Sequence, residues 1–174
     1  MRVIGGVARG RQLRARLPEG VRPTTDYARE AIFSMLESRG GLEDLVVADL
    51  YCGSGAMGIE ALSRGAAEVY FVDQNPECLA AARANLAPLG LSGRAIFQRA
   101  TLPGWRPPAE IDLVLADPPY GPLDAAALLG PIRAARAVIE NDRAMEAPPG
   151  WVVTKSKRYG TTLVTMLEST GPLA

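Results

Sequence analysis

Short apolar runs alternate with helix-like segments through the middle of the chain. Apolar residues recur at helical spacing between the runs, and Gly65 and Asn75-Pro76 are typical stop and start signals of helices. Four runs have the length of buried strands: residues 45–50, 68–73, 94–98 and 111–117. Strands that alternate with helices predict right-handed βαβ units, and therefore an α/β fold with a doubly wound, parallel sheet.

The N-terminal 40 residues depart from this alternation. Residues 2–16 alternate loosely between glycine breaks and predict a short hairpin. Residues 27–38 carry apolar positions at helical spacing behind Asp26, a residue type that caps helices. We therefore predict that residues 1–40 form a hairpin and helix extension, in front of a core over residues 41–174.

The C-terminal third is less regular. Residues 123–137 predict a helix that Gly130-Pro131 interrupts, and residues 137–140 predict a short strand. Two alternating stretches after residue 150 predict an antiparallel hairpin beside the mostly parallel sheet. Since nothing marks a second domain, we expect one domain over residues 1–174.

Residue composition narrows the available chemistry. The chain has no histidine, which excludes Ser-His and Cys-His nucleophile systems and the usual zinc sites. Cys52 and Cys78 form no CxxC motif, and we expect no bound metal. Residues 1–16 lack the apolar stretch of a signal peptide, and no run has the length of a membrane span. We therefore expect a cytoplasmic protein without a membrane partner.

Charge is distributed unevenly although the net charge is zero. Residues 1–30 hold seven arginines against three acids, residues 31–150 nine against fifteen, and residues 151–174 three basic residues against one acid. Basic ends around an acidic middle favour a polyanionic partner; the alternative is a solvated, arginine-rich surface. The candidate phosphate contacts are Arg9, Arg11, Arg14, Arg22 and Arg29. For Arg29, an intramolecular ion pair is the alternative role.

A glycine loop follows the first predicted strand. In DLYCGSGAMG, Gly53, Gly55 and Gly58 have G-x-G-x-x-G spacing, in the strand-to-helix context where backbone approaches a nucleotide-type cofactor closely. Asp73 ends the second strand, where it can accept hydrogen bonds from ribose hydroxyls. Asp49 would repel a pyrophosphate but suits the cationic end of S-adenosylmethionine. The loop therefore favours a methyl donor over NAD; the alternative is a tight packing turn.

The fourth predicted strand ends in an unusual corner, LADPPYG. Proline cannot continue a central strand or a helix, so two prolines hold a rigid, extended exit. The Asp117 carboxylate and the Pro118 carbonyl would then be fixed acceptors for the hydrogens of an exocyclic amino group. Pro119 would stiffen the corner, and Tyr120 would offer a ring face to a base flipped out of structured RNA. The alternative is a plain Asp-Pro-Pro turn.

These motifs resemble a known family. DLYCGSGAMGIEALSRGA and ADPPYG, preceded by MRVIGGVARGRQL and RPTTDYAREAIFSML, are similar to the bacterial 16S rRNA guanine-N2 methyltransferases of the RsmD type. The resemblance implies a Rossmann-like class I fold and transfer of a methyl group from S-adenosylmethionine to the exocyclic N2 of a guanine. It implies small-subunit ribosomal RNA, in an assembly particle, as the partner; we expect a monomer.

The resemblance also implies roles for the quoted residues. Asp117 to Tyr120 would hold the target guanine, and the N-terminal hairpin with the RPT segment would face RNA and close over the cofactor. Thr101 is the small polar candidate beside the adenine. The predicted cofactor pocket consists of Asp49, Tyr51, Gly53, Ser54, Gly55, Asp73, Gln74 and Thr101.

Three alternatives stay open at this point. A DNA or protein amino-methyltransferase would use the same Asp-Pro-Pro-Tyr corner, but it needs a substrate-recognition domain for which this chain is short. A non-catalytic RNA-binding factor of ribosome assembly would retain the cofactor pocket as a vestige. An NAD-dependent oxidoreductase would share the glycine loop, but Asp49 and the absence of histidine disfavour it.

Overall fold

A computed structural model describes residues 1–18 and 26–171 of the chain. Its helices are α1 (Asp26–Glu37), α2 (Ala56–Ser63), α3 (Pro76–Leu86) and α4 (Ala125–Leu129). Its strands are β1 (Val46–Leu50), β2 (Glu68–Asp73), β3 (Ala95–Arg99), β4 (Ile111–Ala116), β5 (Ala134–Asn141), β6 (Trp151–Tyr159) and β7 (Thr162–Ser169). Two single 3₁₀ turns, Ala87–Leu89 and Ser92–Arg94, connect α3 to β3.

The strands form one seven-stranded sheet in the order β3-β2-β1-β4-β5-β7-β6. The first five strands of this order pair in parallel, whereas β7 is antiparallel to both β5 and β6. The order reverses direction between β1 and β4, and such a switch point is where doubly wound sheets bind ligands. The predicted α/β fold, with its parallel core and C-terminal antiparallel hairpin, is confirmed.

Alternation along the central strands divides the hydrophobic core into two layers. Val47 and Leu113 point to one face, where α1, α2 and α3 cover them. Ala48 and Val114 point to the other face, against α4 and the loop that carries the buried Trp105. The central strands β1, β2 and β4 are buried on both faces, which explains why they read as short continuous apolar runs, whereas the edge strand β3 is only half-buried.

Helix ends in the core follow their sequence signals. The Asn75 side chain accepts a hydrogen bond from the Glu77 backbone N–H at 2.9 Å, and Pro76 fills the first helical position of α3. Gly65, two residues after the end of α2, has a φ of 100°, a left-handed conformation that costs glycine little. These two signals fix where the chain leaves and enters the sheet.

The N-terminal segment folds onto α2 and α3. The predicted hairpin forms as a short antiparallel pairing: Arg2 and Gln12 form a bridge, and the N–H groups of Val3 and Leu13 donate to the Arg11 and Met1 carbonyls, each at 2.9 Å. The turn of this segment is secured by Glu60 of α2, whose carboxylate accepts the backbone N–H groups of Ile4 at 2.8 Å and Gly5 at 2.7 Å. A buried side chain of the core therefore holds the extension in place.

The prediction of a helix over 123–137 is wrong in its second half. The helix α4 ends at Leu129, and β5 already begins at Ala134. Gly130 still has helical φ and ψ values of −56° and −38°, but Pro131 supplies no N–H, so the helix cannot continue beyond it. The chain then enters the sheet between β4 and β7, where an eight-residue strand replaces the predicted four-residue one.

Candidate functional site

The carboxyl ends of β1, β2 and β4 meet at one edge of the sheet. The backbone N–H of Cys52 donates to the Val72 carbonyl at 3.1 Å, and that of Asp117 donates to the Leu50 carbonyl at 3.3 Å. These bonds continue the sheet beyond its strands and join the glycine loop to the Asp-Pro-Pro-Tyr corner. The structure thus brings both predicted halves of the site together.

The glycine loop has the backbone conformation that its sequence predicts. Gly53 and Gly55 have φ values of 51° and 76°, and Tyr51 has a φ of 57°, which is unusual for a residue with a side chain. Gly58 serves packing, since a Cβ placed there would lie 2.4 Å from the Phe71 ring. Two of the three glycines therefore shape the loop, and the third lets α2 lie close to the sheet.

Asp73 connects the loop to the end of β2. One carboxylate oxygen accepts the Gly53 N–H at 3.1 Å, and the other accepts the Asn75 N–H at 2.9 Å. The side chain is buried, with 8% of its surface exposed. Each oxygen keeps a lone pair beyond these bonds, so the oriented carboxylate can accept a hydroxyl of a ribose.

Asp49 lies deeper than Asp73, below the glycine loop. Its carboxylate accepts the Gly58 N–H, in the first turn of α2, at 2.8 Å. Burial raises its pKa well above the usual value; the Gly58 bond opposes this shift, and repulsion from Asp117 and Asp73 adds to it. Three carboxyl groups around one strand edge fit a cationic ligand end and disfavour a pyrophosphate.

Gln74 and Thr101 lie together beyond Asp73. With Arg99 and Ala100 they line an open depression of about 400 Å³ at the carboxyl ends of β2 and β3. This depression continues the ligand edge away from the glycine loop, on the side where the adenine is expected.

Ser54 is buried in the glycine loop and is held there by Asn85 of α3. Asn85 donates its side-chain N–H to the Ser54 carbonyl at 3.0 Å, and its side-chain oxygen accepts the Ala15 N–H at 2.8 Å. The asparagine therefore connects the N-terminal segment to the loop. Sequence reasoning missed this residue, because nothing in the helical pattern of α3 distinguishes it.

The Asp-Pro-Pro-Tyr corner is held by distant strands. The Tyr120 hydroxyl shares a hydrogen bond with the Thr162 hydroxyl of β7 at 2.6 Å. The Asn141 side chain of β5 donates to the Gly121 carbonyl at 3.2 Å. Pro118 is buried, while the Tyr120 ring is 37% exposed. The corner therefore presents an aromatic face whose outer end is fixed.

Glu140 is a buried acid beside this corner. It directly follows Ile139, which pairs with Ala116, so the residue stands level with Asp117 on the next strand. Within residues 1–18 and 26–171, no group donates a hydrogen bond to its Oε1. Burial raises its pKa to about 9, repulsion from Asp117 and Asp49 contributes, and Arg29 opposes the shift. Sequence reasoning missed Glu140; an acid that ends an apolar strand was the available signal.

The candidate RNA-contacting arginines separate into two groups. Arg9, Arg11 and Arg14 are exposed on the N-terminal segment, and Arg11 donates to the Pro88 carbonyl at 2.8 Å. Arg22 lies outside the described residues. These positions leave three guanidinium groups available to a polyanion on the outer side of α2 and α3.

Arg29 is a correction to the predicted set. Its side chain is fully buried, so it cannot contact an RNA phosphate. It donates to Asp26 at 2.9 Å and to the Arg2 carbonyl, and it lies 3.9 Å from the buried Glu60. The alternative of an intramolecular ion pair holds, because Arg29 lies on the packed face of α1.

The described residues contain neither a membrane-spanning helix nor a cluster of metal ligands. No helix there combines the length and apolar character needed to cross a membrane. No three histidine, cysteine, aspartate or glutamate side chains in residues 1–18 and 26–171 are grouped to hold a metal ion.

Comparisons with known proteins point to one family. The profile of a family described as "Conserved hypothetical protein 95" matches residues 1–168. The curated "Putative rRNA methyltransferase YlbH" of Bacillus subtilis is 34% identical and covers 98% of this chain and 100% of its own length. "Ribosomal RNA small subunit methyltransferase D" of Haemophilus influenzae is 29% identical over 92% of this chain and 89% of its own.

A solved structure agrees with these relatives. "Putative methyltransferase yhhF from Escherichia coli" superposes with a TM-score of 0.82 at 28% identity, over 97% of each chain. The fold and the order of elements are thus those of Rossmann-like methyltransferases.

Proposed function

Because this chain belongs to the family described as conserved hypothetical protein 95, the RsmD family of methyltransferases, we propose that it methylates small-subunit ribosomal RNA. The proposed reaction moves a methyl group from S-adenosylmethionine to the exocyclic N2 of a guanine. One observation carries this proposal: the Asp-Pro-Pro-Tyr corner is hydrogen-bonded to the strand that leads into the glycine loop.

The residues of the pocket fit the proposed cofactor. Asp73 is oriented by two backbone N–H groups to accept ribose hydroxyls, and the Asp49 carboxyl group lies below the glycine loop, towards the expected methionine end. Tyr51, Gly53, Ser54 and Gly55 form the loop, with Gln74 and Thr101 beside the adenine. S-adenosylmethionine supplies an activated methyl group, so no metal and no covalent enzyme intermediate is required.

The corner would orient the amino group that accepts the methyl. The Asp117 carboxylate and the Pro118 carbonyl would accept the two N2 hydrogens and turn the nitrogen lone pair towards the methyl group. Pro119 keeps the corner rigid, and the Tyr120 ring stacks on the base. Most of the rate would come from holding the two reactants in line.

The N-terminal extension would face the RNA. Arg9, Arg11 and Arg14 are exposed on it, and Asn85 connects it to the glycine loop. We assign residues 1–40 to this RNA-facing role and residues 41–174 to cofactor binding and catalysis, within one domain. The enzyme would act as a monomer in the cytoplasm, on an assembly particle of the small subunit.

The experiment uses labelled S-adenosylmethionine. Purified protein is offered unmethylated small ribosomal subunits, naked small-subunit RNA, large-subunit RNA and DNA, and the products are digested to nucleosides. We expect label in N2-methylguanosine from small-subunit substrates alone. Label in another nucleoside would refute the guanine-N2 assignment. Tight cofactor binding without any label would favour a non-catalytic assembly factor.

A further inference from the structure

Two tyrosine rings, the exposed Tyr27 and the half-buried Tyr159, form a pair at the same edge of the sheet as the candidate site. Tyr27, at the start of α1, and Tyr159, at the end of β6, have ring centroids 5.7 Å apart and planes at 74°. The Tyr27 side chain is 67% exposed. An exposed ring can contact a partner, and ring faces bind unstacked bases.

The pair is one strand pairing away from the Asp-Pro-Pro-Tyr corner. Tyr159 stands directly opposite Thr162 in the antiparallel pair of β6 and β7, so both side chains lie on one face of the sheet. Thr162 is also the residue that holds the Tyr120 hydroxyl, at 2.6 Å. Tyr120 and Tyr159 therefore adjoin the same threonine, and Tyr27 packs edge-on against Tyr159.

Positive charge accompanies this surface. Lys157 and Lys155 alternate with Tyr159 along β6 and therefore share its face. The Lys157 Nζ lies 5.3 Å from the centroid of the Tyr159 ring. The combination of ring faces with ammonium groups matches a nucleotide, which presents a base and a phosphate. An apolar peptide would leave the lysines unused.

We propose that the Tyr27–Tyr159 pair is a stacking site for a single-stranded nucleotide next to the target guanine, with Lys157 directed to its phosphate. The inference rests on the proposed function and extends it, because it assigns RNA recognition to the C-terminal hairpin as well as to the N-terminal arginines. Lysines on an edge strand also limit aggregation, but that role requires no tyrosine beside them.

The test measures steady-state methylation of unmethylated small subunits by Tyr27→Leu and Tyr159→Leu. Leucine keeps apolar bulk and removes the ring face, so we expect KM for the subunit to rise at least about fivefold, with the cofactor affinity measured by calorimetry unchanged. Tyr27→Phe and Tyr159→Phe, which retain the ring, should recover most of the affinity. Lys157→Gln should raise KM. It should also lower the slope of log KM against log salt concentration by roughly one, because one phosphate contact is lost.

Val152→Ala is the matched control, since Val152 is a half-exposed apolar residue at the opposite end of β6. If both leucine variants fold and keep KM within about twofold of the wild type, the stacking site is refuted. A weakened affinity for the particle together with an unchanged affinity for naked small-subunit RNA would assign the surface to a ribosomal protein and also refute it. A wild-type protein that methylates no substrate would instead refute the proposed function.

Discussion

The two halves of the candidate site are built in different ways. The cofactor half comprises Asp49, Asp73 and the loop over residues 51–55, and its carboxylates accept backbone N–H groups within the β1–α2–β2 unit. The base half comprises residues 117–121, and side chains from β5 and β7 hold it. The first half is a local unit of the chain, whereas the second exists only after the C-terminal strands join the sheet.

This difference separates binding from catalysis in the proposed enzyme. Groups that lie in the β1–α2–β2 unit should control affinity for S-adenosylmethionine. Groups around the corner should control turnover on RNA and leave that affinity nearly unchanged. A substitution in the cofactor half that changes only turnover, or one in the base half that changes cofactor affinity, would therefore contradict this separation.

The largest effect is expected for Asp117→Ala. Loss of the acceptor that orients the amino group should lower kcat on unmethylated small subunits at least about 100-fold, because a misplaced nucleophile reacts far more slowly. Calorimetry should give a dissociation constant for S-adenosylmethionine close to that of the wild type. Glu110→Gln is the control, since Glu110 is an exposed acid next to the opposite end of β4. Equal losses of turnover and cofactor affinity would refute the separate roles of the two halves.

A loss of cofactor affinity is expected for Asp73→Ala. The carboxylate accepts two backbone N–H groups and would accept the ribose, and hydrogen bonds to a charged group contribute about 1.5–3 kcal/mol each. The dissociation constant for S-adenosylmethionine should rise at least about tenfold, measured by calorimetry. The rise in melting temperature that saturating cofactor gives the wild type should shrink accordingly. A variant that binds normally would remove Asp73 from the pocket.

The cofactor half was largely predictable from sequence because its signals are local. Glycine spacing, a strand before it and an aspartate twenty residues later lie within one βαβ unit, so their geometry follows from their order. The positive φ of Tyr51 is the exception within this half. It could not be predicted, because positive φ is expected of glycine or asparagine and not of tyrosine. Asp49 was assigned to the site by charge, but its contact with α2 emerges only from the fold.

In the base half, the tetrapeptide itself was predictable, but the side chains that hold it were not. Asp117 to Tyr120 stand out as a rare tetrapeptide, yet Thr162 and Asn141 reach the corner through strand pairings that no spacing reveals. The prediction that Arg29 contacts an RNA phosphate was wrong for a related reason. An arginine within an arginine-rich segment reads as surface charge, whereas its burial depends on Glu60, which lies on another helix.

Two buried asparagines offer a matched test of the comparison. Asn85 donates to the Ser54 carbonyl in the cofactor half, and Asn141 donates to the Gly121 carbonyl in the base half. Each alanine variant should lose roughly 1–3 kcal/mol of unfolding free energy, because a buried carbonyl loses its donor. At a temperature where both variants stay folded, Asn85→Ala should weaken S-adenosylmethionine binding several-fold, and Asn141→Ala should lower kcat on small subunits several-fold. Identical functional profiles would show that the halves are not separate.

The last prediction concerns stability alone: Glu140→Gln should change how the melting temperature depends on pH. Burial raises the pKa of Glu140 to about 9 in the folded protein, and repulsion from Asp117 and Asp49 adds to the shift. Attraction by Arg29 opposes it. Between the ordinary pKa of glutamate and about 9, the folded state holds a proton that the unfolded chain has released, so stability falls as pH rises. Glutamine resembles the neutral acid and cannot ionise, so the melting temperature of the variant should exceed that of the wild type by an amount that grows from pH 5 to pH 9.

The difference between variant and wild type isolates Glu140 in this experiment, because Asp49 contributes a fall of the same sign to both proteins. Substitution of the exposed Glu110 by glutamine serves as the control. The melting temperatures of this variant and of the wild type should change with pH in parallel. If the melting temperatures of Glu140→Gln and the wild type change with pH in parallel, Glu140 is ionised beside Asp117 at neutral pH. The charge of Glu140 would then lie next to the corner that is proposed to hold the guanine amino group. A neutral Glu140 instead places no charge beside Asp117, whose carboxyl group is the acceptor in the proposed orientation of the guanine amino group.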